Sequence, residues 1–169
     1  GVNAQSAEAQ LDGDVFMHYR QTTLSASHLF DNRFLIRLAS NDHRKTFEQD
    51  SARAADGRGV DADVFVFYHD GQRYFTLNSN RAEDDANDAS YSHQSRGYKL
   101  RWSATLQTGS LTSVLQLGGR WGERDYDGKL ADLNAARKDR YRVYDAQWET
   151  AFTAYFSLAL KVERGNYQS

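Results

Sequence analysis

The residues best able to act together chemically are charged ones: Arg33, Arg37, Lys99, Arg101 and Arg120, followed by Asp145, Glu149, Lys161 and Glu163. In the runs they occupy, apolar residues alternate with them, so in extended chain they share one face. Around a wet passage they would form cationic and anionic sectors whose transverse field orients a passing hydrophilic solute. In a narrow barrel the same charges would instead fill the interior, which is tolerable only where each is paired and hydrogen-bonded. On a soluble barrel they would be the solvated outside.

Other constellations carry less. Glu83, Asp84, Asp85, Asn87 and Asp88 offer oxygens to a hard cation such as Ca²⁺, but their spacing fits no EF-hand loop, and they read as a solvated acidic loop. The Asp125-x-Asp127-Gly128 fragment is weaker still, and no metal ligand is assigned. His18, His28, His43, His69 and His93 are scattered without ligand spacing. His93-x-Ser95 beside the acidic run invites a Ser–His–acid hydrolase, yet geometry defines a triad and there is no Gly-x-Ser-x-Gly turn. No phosphate loop or dinucleotide fingerprint is present. The expectation is a non-enzymatic chain with no cofactor.

The elements that must position these residues are strands. Tyr98–Gln107 alternates without a break: Tyr98, Leu100, Trp102, Ala104 and Leu106 on one side, Lys99, Arg101, Ser103, Thr105 and Gln107 on the other. In a soluble sandwich the apolar wall is core. In an outer-membrane barrel it faces lipid, and the charged wall faces the lumen. Further strand-like runs are Val15–Leu24, where both faces carry apolar residues, and Arg33–Asn41, Ala62–His69, Arg73–Asn80, Ser113–Gly122, Tyr141–Thr150 and a last run to about Val162. Asp70-Gly71 between two aromatic, β-branched runs is a hairpin signal. Long polar loops are expected at Asp42–Val60, Glu83–Ser92 and Glu123–Asp139, with a short link at Ser25–Asn32.

This gives about eight strands of roughly ten residues, the length that crosses a bilayer at a tilt. Short and long connections alternate, the rhythm of tight periplasmic turns and larger extracellular loops. Residues 1–10 read as a tail or an incomplete strand, and 11–169 as the β-barrel domain. Eight strands would leave both termini extracellular, so at least one strand at each end is expected to be missing, and the chain to be part of a larger barrel.

Composition agrees. The 169 residues include no Cys and no Pro, which removes disulfides and suits long strands. Ten Tyr, nine Phe and three Trp in a polar chain fit aromatic girdles around a polar lumen. Girdle candidates are Tyr19, Tyr68, Trp102, Trp121, Tyr126, Tyr141 and Trp148. A net charge of −2 gives no basis for nucleic-acid binding, and no apolar run is long enough for a spanning helix.

The stretches Arg96–Asp125 and Arg137–Ser169 resemble outer-membrane β-barrel hairpins. They are similar to the C-terminal barrels of exopolysaccharide-secretion porins and surface lipoprotein assembly modifiers, where a barrel follows helical repeats. The resemblance implies residence in a Gram-negative outer membrane, lipid and periplasmic export components as partners, and passage of a hydrophilic solute or polysaccharide.

The reading is an all-β, antiparallel up-and-down transmembrane barrel acting as a passive pore or export conduit. Leu100, Trp102, Leu115, Leu117, Trp121, Trp148, Phe156 and Leu158 are expected to face the membrane, and the nine charged residues above to line the lumen. Two alternatives stand beside it: a plugged structural membrane barrel, and a soluble calycin-like barrel holding a small ligand among Phe65, Phe67 and Tyr74.

Overall fold

The computed structural model describes every residue except 12–13, 110, 131–134 and 153–155. The chain is an up-and-down meander: β1 (Val2–Leu11), β2 (Asp14–Phe30), β3 (Phe34–Phe47), β4 (Ala55–Tyr68), β5 (Arg73–Ala86), β6 (His93–Thr108), β7 (Leu111–Leu130), β8 (Ala135–Ala151) and β9 (Ser157–Gln168). All nine strands lie antiparallel in one sheet in chain order. The only other described element is a single 3₁₀ turn, Ser51–Arg53. Among the described residues β1 and β9 do not pair, so the sheet is open along two edges.

One end of the sheet is closed by tight turns. Arg33 N–H donates to Phe30 O at 2.9 Å with Asp31 and Asn32 at φ 47° and 54°. Gln72 N–H donates to His69 O at 3.1 Å with Asp70 and Gly71 at φ 54° and 80°. Two consecutive positive φ values make the mirror-image turn whose twist matches paired strands. The Asp-Gly hairpin expected from sequence is in place.

The opposite, broad end differs from expectation. Of the polar segments expected as loops, 42–60 and the described part of 123–139 are mostly strand, and 83–92 is strand as far as Ala86. β3 and β4 stay paired to Lys45↔Ala55, β5 and β6 to Asp84↔His93, and β7 and β8 to Asp125↔Lys138. The described connections shrink to 48–54 and 87–92. These stretches are polar on both sides because both sides meet water, which erases the alternation by which a strand is recognised. Likewise Ser25–Asn32 is not a link: β2 continues to Phe30. Residues 2–11 supply a full strand, raising the count from about eight to nine.

Two faces result. One carries aligned rows such as Ile36–Val64–Leu77–Leu100–Gly119–Tyr144 and Phe34–Val66–Phe75–Trp102–Leu117–Ala146–Val162. No described residue packs over this face: Leu38 is 57% exposed, Leu77 52%, Leu100 44%, Leu117 45% and Leu160 54%. Along β6 the apolar band from Tyr98 to Leu106 extends about 27 Å at the strand rise, or roughly 20 Å at the tilt of barrel strands, close to an outer-membrane hydrocarbon layer. Beyond it toward the broad end the same face turns ionic, with Arg58–Glu83 at 3.1 Å and Lys138–Asp125 at 2.8 Å. The opposite face is polar for most of its length.

Candidate functional site

The charged residues singled out by sequence share the polar face, with two qualifications. Arg37 (β3), Lys99 and Arg101 (β6), Arg120 (β7), Asp145 (β8) and Lys161 and Glu163 (β9) occupy adjacent register rows at mid-height. Glu149 is on this face nearer the tight-turn end, opposite Val114 and Ala159. Arg33 belongs to the β2–β3 turn and stands apart from the wall.

The arrangement is a set of bonds reaching over strands that carry small side chains. Arg101 Nη2 donates to Asp145 Oδ2 at 3.0 Å, across Gly118 of the intervening strand. A Cβ at Gly118 would lie 2.8 Å from Asp145 Oδ1, so glycine is needed for the carboxylate to lie where it does. Arg120 Nη2 donates to Glu163 Oε1 at 3.0 Å, over Val143, which is fully buried. Lys161 Nζ lies 3.0 Å from Glu163 Oε2. On the other flank Arg37 Nε donates to Asp63 Oδ2 at 2.8 Å, and Asn78 Nδ2 to Asp63 Oδ1 at 2.8 Å.

A second constellation crosses the polar face beyond the apolar band, in the register row Gln21–His43–Gly57–Asp84–His93–Tyr126. His43 Nε2 is 2.5 Å from Asp84 Oδ1, and Lys45 Nζ is bonded to Asp84 Oδ2. His93 Nδ1 donates to Tyr91 O at 3.0 Å and its Nε2 lies 3.5 Å from Asp84 Oδ2. Tyr126, at the end of the row, has its ring 5.3 Å from His93, and Tyr19, one row away, has its ring 5.7 Å from His43. Burial opposes the Asp84 charge, but Lys45 and His43 outweigh it and hold the carboxyl below its usual range. Burial pushes His93 down, helped by Arg124 and Lys45 and opposed by its Tyr91 bond and Asp84. His43 Nδ1 is buried without a partner. Sequence reasoning missed this row. The available signal was Gly57-x-Gly59, two bare positions on one face of β4.

Other expectations resolve against it. The carboxylates of 83–88 diverge, because neighbours on a strand point to opposite faces. Glu83 pairs with Arg58 on the apolar side, Asp84 enters the row, and Asp88 accepts from Ser90 N–H at 2.8 Å in the turn. No metal-holding cluster occurs among the described residues. No hydroxyl is hydrogen-bonded to His93 among them.

Leu100, Trp102, Leu115, Leu117, Trp121, Trp148 and Leu158 share the apolar face. Phe156 precedes β9, its ring 5.6 Å from Phe152. Trp102 Nε1 donates to Tyr68 OH at 2.5 Å, and Trp121 Nε1 to Tyr144 OH at 3.4 Å. Tyr19, Tyr126 and Tyr141 are on the polar face and belong to no girdle, since their registers pair them with Lys45, His93 and Gly122. Phe65, Phe67 and Tyr74 form an aromatic cluster on the polar face, with centroids 5.7–6.4 Å apart.

No protein-family model matches the sequence. No curated protein matches it either. Among solved structures the chain is similar to the siderophore receptor PirA from Pseudomonas aeruginosa, with a TM-score of 0.58 at 10% identity, over 98% of this chain and 31% of that one. The chain thus spans about a third of the receptor's length, and the likeness is one of fold. Its nine-stranded antiparallel meander shares the fold of part of that receptor.

Proposed function

We propose that the chain forms a sector of a β-barrel wall in a Gram-negative outer membrane, its apolar face in lipid and its polar face lining a passage for hydrophilic solutes. The observation that carries this reading is the uncovered apolar band: rows of Leu, Val, Phe and Trp run from strand to strand and stop where the face turns ionic. Water would penalise that surface, at about 25 cal/mol per Å² of apolar area, whereas hydrocarbon would not. Tight turns near the band's lower border and long strands beyond its upper border match periplasmic and extracellular sides respectively. Transport is passive here, with no catalysis and no cofactor. The resemblance to exopolysaccharide-secretion porins and lipoprotein assembly modifiers extends the reading to polymer export with periplasmic partners.

The test is extraction and conductance. The protein should need detergent for extraction, migrate differently on gels before and after boiling, and give stepwise conductance in planar bilayers. Buffer-soluble protein with Leu100 and Leu117 shielded from added reagents would overturn the reading. A plugged structural wall is the second reading, favoured by the way Arg101 and Arg120 lie across the sheet onto their carboxylates. It predicts heat-modifiable mobility without conductance. A soluble ligand-binding barrel, with Phe65, Phe67 and Tyr74 as its pocket, requires the exposed apolar band to be covered.

A further inference from the structure

The mid-wall charges do not cancel, and the residue left over is Lys99. Its cross-strand neighbours are Asn78 on one side and Arg120 on the other, so it faces an amide and a like charge. Three of the acids within a strand or two are already engaged, and the fourth, Asp61, sits one row toward the broad end on β4 without bonding Lys99. Asp63 gives one oxygen to Arg37 and the other to Asn78. Asp145 takes Arg101, and Glu163 takes Arg120 with one oxygen and Lys161 with the other. Both guanidinium groups reach toward β8 and β9, away from Lys99. Among the described residues Lys99 makes no ion pair and no side-chain hydrogen bond. It is half-buried on the polar face, and no acid of the wall is bonded to it.

We infer that Lys99 is a docking point for an oxyanion group, carboxylate or phosphate, carried by the passing solute. This deepens the conduit reading and rests on it. Arg101 and Arg120 are held by fixed carboxylates, so their charge is largely spent within the wall. Lys99 is the cation free to act on a solute, and as a compact ammonium on a flexible stem it can bind and release without strict geometry. A single weak site on a wall is what conduction requires, since a solute must leave as readily as it enters.

The absence of native cysteine allows a direct test in the folded, detergent-solubilised protein. Thr76 lies on the polar face diagonal to Lys99, and Thr76→Cys supplies a thiol there. Its modification rates by small anionic and cationic thiosulfonates are compared at low salt, with Lys99 present and with Lys99→Gln. Removing the charge should lower the anionic-to-cationic ratio about five- to sevenfold, the effect on two oppositely charged reagents of one unit charge about 7 Å away in water. Lys99→Arg should keep the ratio, which separates charge from damage to the fold. A ratio unchanged by Lys99→Gln overturns the inference, and so does a thiol at position 76 that neither reagent reaches. The membrane reading fails separately: a Leu100→Cys variant in lipid vesicles would then react as fast as Thr76→Cys. Inorganic phosphate should slow the anionic reagent when Lys99 is present and have no effect with Lys99→Gln; equal slowing in both also counts against the site.

Discussion

His43 and Asp84 meet at 2.5 Å across the bare backbone of Gly57, so a contact between β3 and β5 depends on a missing side chain in β4. A Cβ at Gly57 would overlap both His43 Nε2 and Asp84 Oδ1. Gly57→Ala should therefore force the pair apart and lower unfolding stability by about 1–3 kcal/mol, the usual range for overpacking. Urea unfolding followed by tryptophan fluorescence measures the loss. Amide exchange should show it concentrated at the broad ends of β3, β4 and β5.

The same row gives a pH dependence of known sign. His93 has its folded value depressed below 6.5, so the unfolded chain takes up the proton first. Stability is then full above 6.5 and falls as pH drops below it. Asp84, depressed below 3.8, adds stability that is full above 3.8 and lost as pH falls through its folded value. Unfolding midpoints taken downward from neutral pH should decline in two stages, and His93→Gln should flatten the first while leaving the second.

Face assignment makes a strong mutational contrast. An arginine replacing Leu100 or Leu117 should oppose bilayer insertion by about 2–4 kcal/mol if those positions sit near the membrane midplane. On the polar face, Thr105→Arg should change it by less than about 1 kcal/mol. Folding equilibria in lipid vesicles under urea distinguish the two, and equal effects on both faces would contradict the arrangement.

Arg101 and Asp145 form a largely buried pair, with side chains 27% and 9% exposed. Arg101→Met should destabilise by about 2–4 kcal/mol, because it leaves a carboxylate unpaired. Adding Asp145→Leu should recover much of that loss. A double-mutant cycle measures the coupling directly.

How much of this could be read from residues alone varies along each strand. Tyr98–Gln107 discloses its two faces fully, because one side is apolar throughout and the other polar. The continuation of β6 back to His93, and of β3 to Phe47, is hidden: Asp42–Thr46 is polar on both sides and carries no hydrophobic period of two. Asp31-Asn32 reads as part of a link in sequence, although both residue types tolerate positive φ and here build a two-residue turn. Charge placement followed from parity, since Lys99 and Arg101 had to share a face. Their different fates did not follow. Whether an arginine meets a carboxylate depends on which strand lies two away and on the glycine between, and register is fixed only when distant segments pair.

Under the proposed function, the two raw seams of the sheet, along β1 and β9, bear on how such a wall would reach a membrane. An amide group stranded in hydrocarbon forfeits several kcal/mol, and each seam presents a column of them. Neither margin can be submerged first and matched afterwards. Burial in lipid and zippering to an adjoining strand must proceed together, whichever polypeptide supplies that strand, so the greasy stripe and the unsatisfied margins are two halves of one requirement.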